Sequence, residues 1–172
     1  AVPGLSVVPG DVELSGVDLQ LANAERRSFR LRDVLARHDA AARRGEAPVF
    51  DLILIDCPPS LNLLTVNAMA AADAVLVPLQ CEFFALEGLT QLLRTIELVR
   101  NSLNPALEIQ GVVLTMHDRR NSLSDQVAAD VRRHFGDKVY ETMIPRNVRV
   151  SEAPSHGKPA LLYDHRCTGS QA

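Results

Sequence analysis

Phe50-Asp51-Leu52-Ile53-Leu54-Ile55-Asp56-Cys57-Pro58-Pro59-Ser60 is the stretch whose reading decides the fold. Four consecutive large aliphatic residues, Leu52 to Ile55, end in one carboxylate, and a prolyl pair stops them. A run without polar alternation fits a strand covered on both faces, as in a parallel sheet. In open α/β sheets, ligands sit beyond the carboxyl ends of the strands, where Asp56 would stand. An acid there can hold Mg²⁺, directly or through water, beside the phosphates of a nucleotide, which is the Walker B role. A buried strand that merely happens to end in Asp satisfies the same pattern. The run alone leaves both readings open.

The bulk numbers bound the rest. The 172 residues suffice for one domain with its own core. Hydrophobic residues at 47% and charged residues at 23% are ordinary for a globular protein. There is no Trp and only 4% aromatics, so the core must be aliphatic. A net charge of −3 excludes a molecule that is basic all over, and any nucleic-acid contact must come from a local patch. Cys57, Cys81 and Cys167 have neither zinc-finger nor redox spacing, which favours a reducing compartment. No apolar run approaches membrane-spanning length, and no signal peptide is expected. His38, His134, His156 and His165 are scattered, so no metal site is expected beyond Mg²⁺.

Taken in order, Leu5 to Val8 reads as a short strand ended by Pro9-Gly10. Asp11 or Ser15 would cap a helix carrying Val17, Leu21 and Ala24, and a second helix follows from about Ser28 with Leu31, Val34 and Leu35 on one face. The arginines crowded there read as a solvated face. Ser60 would cap a helix through Ala72, and Ala74 to Pro78 reads as the next buried strand. A long helix runs from about Leu86 to Ser102, with Leu89, Leu92, Leu93, Ile96 and Val99 inward. Ile109 to Thr115 is a strand, Ser122 or Ser124 caps a helix through Phe135, and Val139 to Ile144 is a strand ended by Pro145. From Pro159 the spacing gives a short apolar piece, Ala160 to Tyr163, and then polar residues without a helix. This alternation predicts an α/β fold: a mostly parallel sheet with right-handed crossovers.

Several stretches together resemble the ParA/Soj chromosome- and plasmid-partitioning ATPases, relatives of MinD. They are Asp56-Cys57-Pro58-Pro59-Ser60-Leu61, Pro78-Leu79-Gln80-Cys81-Glu82, Ala85-Leu86-Glu87-Gly88-Leu89, Leu114-Thr115-Met116, and the long run from Ile144 through Pro159. The last of these is similar to ParA/Soj and not to MinD. The resemblance covers nearly the whole chain. It implies a three-layer P-loop NTPase-type fold with helices on both faces. It also implies a protein that binds ATP and Mg²⁺, dimerises, and binds DNA without sequence preference. A ParB-type centromere-binding partner would stimulate hydrolysis, in the cytoplasm and on the nucleoid, with no membrane.

The resemblance also implies residue roles. Asp56 would hold Mg²⁺ through water as the catalytic-site acid, and Cys57, Pro58, Pro59 and Ser60 would form the switch that senses the γ-phosphate. Pro145, Arg146 and Asn147 would border the adenine, with Met116 and His117 on a neighbouring loop; the family more often has an aromatic where His117 stands. Arg120 and Arg149 match positions that carry DNA binding, with Arg119 and Lys158 as further candidates. Glu82 and Glu87 would flank a loop near the dimer interface. The family's Walker A loop and final helix have no counterpart in residues 1–172, so the expectation is a partial ATPase domain, without a second domain, cut at both ends. As written, the chain is then expected not to hydrolyse ATP and to be poorly soluble alone. A non-catalytic remnant that keeps a DNA- or partner-binding surface, and a MinD-like membrane-associated ATPase, are the alternatives.

Overall fold

The computed structural model describes residues 2–58, 60 and 62–172. The chain divides into two compact units, Ala1–Asp73 with Val99–Ala106, and Ala74–Leu98 with Leu107–Ala172.

In the first unit, Asp11 caps a 3-10 turn, Val12–Gly16, by accepting from Glu13 N at 2.7 Å. Helix α1 follows directly as Val17–Gln20, shorter than the spacing of Val17, Leu21 and Ala24 predicts. Helix α2 is Arg30–Arg43 and helix α3 is Leu63–Ala71. Asn62, not Ser60, caps α3, accepting from Thr65 N at 3.0 Å. Three polar side chains tie this unit together through backbone groups. Asn67 is buried in α3; its Oδ1 accepts from Leu31 N at 3.2 Å, and its Nδ2 donates to the carbonyls of Arg27 and Leu63, both at 2.9 Å. Asp18 accepts from Leu63 N, and Asn104 donates to the carbonyls of Met69 and Ala72. The bonds to Leu31 N, Leu63 N and the carbonyls of Met69 and Ala72 satisfy helix-end groups that have no partner within their own helix.

Two expected strands are absent from this unit. Leu5–Val8 is exposed and unpaired, and residues 52–58 form no strand. Leu52, Ile53, Leu54 and Ile55 are all exposed, Leu54 to 81%. The physical reason is the missing ladder. A strand persists only where neighbouring strands take its N–H and C=O groups, and among the described residues none pairs with this run. Phe50 just before it is held, stacked on His38 of α2 at 5.3 Å between ring centroids.

The second unit carries the sheet. Strands β1 (Ala74–Gln80), β2 (Glu108–His117) and β3 (Val139–Pro145) pair in parallel in the order β1-β2-β3. Helix α4 (Ala85–Ser102) links β1 to β2, and α5 (Ser122–Phe135) links β2 to β3. Each is the crossover a parallel pair requires. Asn121, and neither Ser122 nor Ser124, closes the α5 N-terminus by accepting from Leu123 N. Strand β2 is central and covered, with Val112 and Leu114 fully buried. β1 is covered on one face only: Val77 and Leu79 point in, whereas Leu76 and Pro78 are exposed. Proline lacks the N–H of a ladder and is tolerated on such an edge. Leu89 of α4 with Val127, Ala128 and Val131 of α5 complete the aliphatic core. Each fully buried Leu or Val there contributes about 1.5–3 kcal/mol.

Gly111 sits where β2 begins to pair with β3. A Cβ on it would stand 2.6 Å from the Tyr140 ring and 2.9 Å from the Lys138 carbonyl oxygen. Beyond β3 come α6 (Val148–Glu152), a 3-10 turn (Ala153–His156), α7 (Ala160–Tyr163) and α8 (Thr168–Gln171). The last of these corrects the expectation of a helix-free end. Gly169 lets α8 lie against α6, since a Cβ there would meet Val150 Cγ2 at 2.5 Å.

Candidate functional site

The carboxyl ends of β2 and β3 are stitched together past the regular ladder. His117 faces Pro145 in register, and Arg146 N donates to the His117 carbonyl at 2.9 Å. On the other side of β2, Cys81 N donates to the Thr115 carbonyl at 3.1 Å. The loops after Gln80, His117 and Pro145 therefore open from one edge of the sheet, where α/β folds place ligands.

Met116 stands at φ +54°, a left-handed backbone that is uncommon outside glycine. His117 is 5% exposed, and its Nε2 lies 2.9 Å from Asp125 Oδ1 on the first turn of α5. That contact anchors the loop 118–121 to α5. Asp118 then holds Arg120: Nε and Nη2 donate to its two carboxylate oxygens, each at 3.0 Å, and Arg120 N donates to Oδ1. This double contact, with the Arg120 backbone bond, pushes the Asp118 carboxyl down to about 2. Arg120 itself remains 88% exposed.

Arg146 pairs with Glu82 at 2.7 Å, which ties the loop after β1 to the end of β3. Pro145, Arg146, Arg119 and Arg120 line one cleft of about 690 Å³ with Met143 and Thr168. A neighbouring hollow of about 430 Å³ takes Met116, Phe83 and Glu82, and shares Arg146 and Asp118. The expected nucleotide residues Pro145 and Arg146 and the expected DNA residue Arg120 are thus brought to one cleft.

Asn147 caps α6. Its Oδ1 accepts from Arg149 N at 2.9 Å and Val150 N at 3.4 Å, and its Nδ2 donates to Thr168 Oγ1 at 3.0 Å. One Nδ2 hydrogen has no partner among the described residues. Arg149 donates to Glu152 Oε2 at 3.0 Å and lies 3.8 Å from Asp164. The Glu152 bond, first, raises its pKa above the usual arginine value. Tyr163, stacked on His156, donates to the same Glu152 oxygen at 3.2 Å.

Asp56, Cys57, Pro58 and Ser60 fall in the first unit, and all four are exposed. Pro59 and Leu61 lie outside the described residues. Asp56 makes no hydrogen bond or ion pair among the described residues. Partial desolvation, then the Asp56 charge, pushes the Cys57 thiol pKa up, so it is a poor nucleophile. The Ser60 carbonyl accepts from Thr65 Oγ1 at 2.7 Å, which fastens the end of this stretch to α3. Among the described residues, no group of three His, Cys, Asp or Glu side chains is placed to hold a metal. A single free carboxylate still suits Mg²⁺, which keeps most of its water shell. The half-buried Pro145 ring and the Asn147 amide, with one free hydrogen, are groups that suit a flat heterocycle.

Sequence reasoning missed the carboxylates that hold the arginines. The Asp118-x-Arg120 spacing and the Arg149-x-x-Glu152 helical pair were the available signals. Thr168 carried no signal.

A family model described as "AAA domain" matches residues 1–109. The chain is 71% identical over 171 residues to the chromosome partitioning protein ParA of Caulobacter vibrioides, covering 99% of this chain and 62% of that protein. The chain belongs to the AAA domain family, in its ParA/Soj branch. The sporulation initiation inhibitor protein Soj of Bacillus subtilis is 50% identical over 170 residues, covering 99% of the chain and 64% of Soj. Among solved structures, cobyrinic acid a,c-diamide synthase from Mycobacterium smegmatis, with bound ATP analog and magnesium, superposes with a TM-score of 0.76 at 34% identity. It covers 95% of this chain and 57% of that one. The chain thus spans less than two thirds of the length of these ParA/Soj relatives. The α/β fold with its parallel sheet is that of the P-loop ParA/MinD-type ATPases. Among the described residues, no helix is long and apolar enough to cross a membrane.

Proposed function

We propose that this chain is part of a ParA-type partitioning ATPase that binds ATP with Mg²⁺, dimerises, and binds DNA without sequence preference, acting with a ParB-type partner in the cytoplasm and on the nucleoid. The observation that carries the reading is the 71% identity to a chromosome-partitioning protein over 99% of the chain. Residues 1–172 then serve as one partial ATPase domain.

Asp56 is the carboxylate that would hold hydrated Mg²⁺, with Cys57, Pro58, Pro59 and Ser60 as the switch beyond it. The metal, when bound, neutralises charge at the phosphates. Pro145 packs on the base, Asn147 donates its free amide hydrogen to the base edge, and Arg146, braced by Glu82, keeps the two loops together. Met116 closes the neighbouring hollow. Arg120 and Arg149 carry the DNA contact. Arg120 already sits in a two-pronged carboxylate pair and Arg149 donates to one Glu152 oxygen, and a phosphate offers acceptor oxygens of the same kind.

Arg120→Glu and Arg149→Glu in the full-length protein test this. ATP-dependent retention on unrelated duplex DNA is expected to fall at least about tenfold in each, and most steeply at low salt. Retention equal to the parent in both variants overturns the assignment. A second reading, a non-catalytic chain that keeps only a DNA- or partner-facing surface, draws on the absence of a strand at residues 52–58. ATP hydrolysis that disappears in Asp56→Ala excludes it.

A further inference from the structure

We infer that Thr168 is a positioning residue for base recognition: it fixes the Asn147 amide so that the side chain meets a purine as a hydrogen-bond donor only. The inference rests on the base-side role of Asn147 given above.

The argument begins with the polarity of the amide. Two backbone N–H groups, of Arg149 and Val150, point at one atom of the Asn147 side chain. Backbone N–H groups only donate, so that atom is the oxygen, and the amide cannot be flipped. Both bonds belong to the α6 N-terminus, which would lose its cap if Oδ1 turned to a ligand. Asn147 therefore has no acceptor to offer a base.

What remains is Nδ2 with two hydrogens. Anchoring Oδ1 alone leaves the amide plane free to rotate about it. Thr168 Oγ1 accepts one hydrogen at 3.0 Å and removes that freedom. The second hydrogen is left as a single, directed donor. Thr168 also lines the 690 Å³ cleft with Pro145, the residue immediately before the Arg146–Asn147 pair, so the brace stands beside the base-side groups. Gly169 makes the brace possible. A Cβ there would stand 2.5 Å from Val150 Cγ2 and 3.2 Å from Asn147 Cβ, and would push α8 off α6.

A donor-only contact needs an acceptor lone pair on the base edge, and the ring nitrogens of adenine supply one. The chemical class of ligand is thus a nucleotide whose base edge offers an acceptor to the locked amide.

The experiment compares the full-length protein with Thr168→Val, which keeps the branched shape and removes the oxygen, and with Thr168→Ser, which restores it. Binding of Mg-ATP is measured against Mg-tripolyphosphate, which has no base. Thr168→Val is expected to lower the ATP-to-tripolyphosphate affinity ratio about fivefold, with tripolyphosphate binding unchanged. Thr168→Ser is expected to recover most of the ratio, and Gly169→Ala to lower it like Thr168→Val. A ratio unchanged in Thr168→Val, or equally low in Thr168→Ser, overturns the inference. Asn147→Ala separates the two layers. A ratio it leaves unchanged sinks the base-side role and this inference together, whereas a ratio lowered only by Asn147→Ala sinks this inference alone.

Discussion

The run Leu52–Ile55 and the run Val112–Leu114 are close in composition and opposite in fate. Both are unbroken aliphatic stretches leading to a polar carboxyl end. Val112 and Leu114 lie in a central strand, paired on both sides and buried. Leu52 to Ile55 have no strand and stand exposed. Hydrophobic residues supply the reason to bury a segment, but backbone pairing supplies the place. Without neighbouring strands an apolar run stays a run. The two units differ in the same sense. The second is held by ladders around an aliphatic core, and the first by side chains such as Asn67 that reach helix-end backbone groups.

The contrast can be broken most directly in the two apolar runs. Leu114→Ala is expected to cost about 2–5 kcal/mol, from lost burial and a cavity. Leu54→Ala is expected to stay within about 0.5 kcal/mol. Urea denaturation of the chain reads both; equal losses would show that residues 52–55 are buried in the working protein.

A second measurement sharpens the difference between the units. Asn67→Ala leaves Leu31 N and the Arg27 carbonyl without their partner, at an expected cost of about 1–3 kcal/mol. Hydrogen exchange at the Leu31 amide is expected to quicken while β2 amides keep their protection. Loss of protection in both would mean the two units melt together.

The smallest effect lies in the loop after β2. The Asp118 carboxyl is depressed from 3.8 to about 2. A depressed carboxyl contributes stability above its unfolded value and loses it as pH falls through the folded one. The Arg120 contact should therefore hold at pH 4 and be lost near pH 2. An NMR titration of Asp118 is expected to show that midpoint, and to move it toward 3.8 in Arg120→Ala. A midpoint already near 3.8 in the parent would show that the pair is not formed in solution.

Much of the second unit could be read from periodicity. β1, β2 and β3 and helices α4 and α5 fall within one or two residues of their predicted bounds, because their patterns are long and agree with their neighbours. The caps were harder. Ser60 and Ser122 are good capping residues, yet Asn62 and Asn121 do the work. Segments α6 and α8 are too short to show a period, and they exist through contacts such as Asn147 with Thr168. The run Leu52–Ile55 failed for the opposite reason: its pattern was strong, but a strand is a property of a pair. At the site, the arginines stood out by type and Asp118 and Glu152 lay within three residues of them, whereas Asp164 became visible only once the turns were folded.

Gly111 lies at the end of the sheet remote from the cleft, yet it acts there through leverage. The Tyr140 ring could swing away from an added methyl group, but the Lys138 carbonyl belongs to the backbone and cannot. A side chain at 111 would wedge β3 off β2 at its base. His117 and Pro145 meet six residues farther along β2, about 20 Å away. A small angle opened at the fulcrum becomes a wide gap at the tip. The spacing of the two loops that follow His117 and Pro145 is thus set, in part, by a residue that never approaches a ligand.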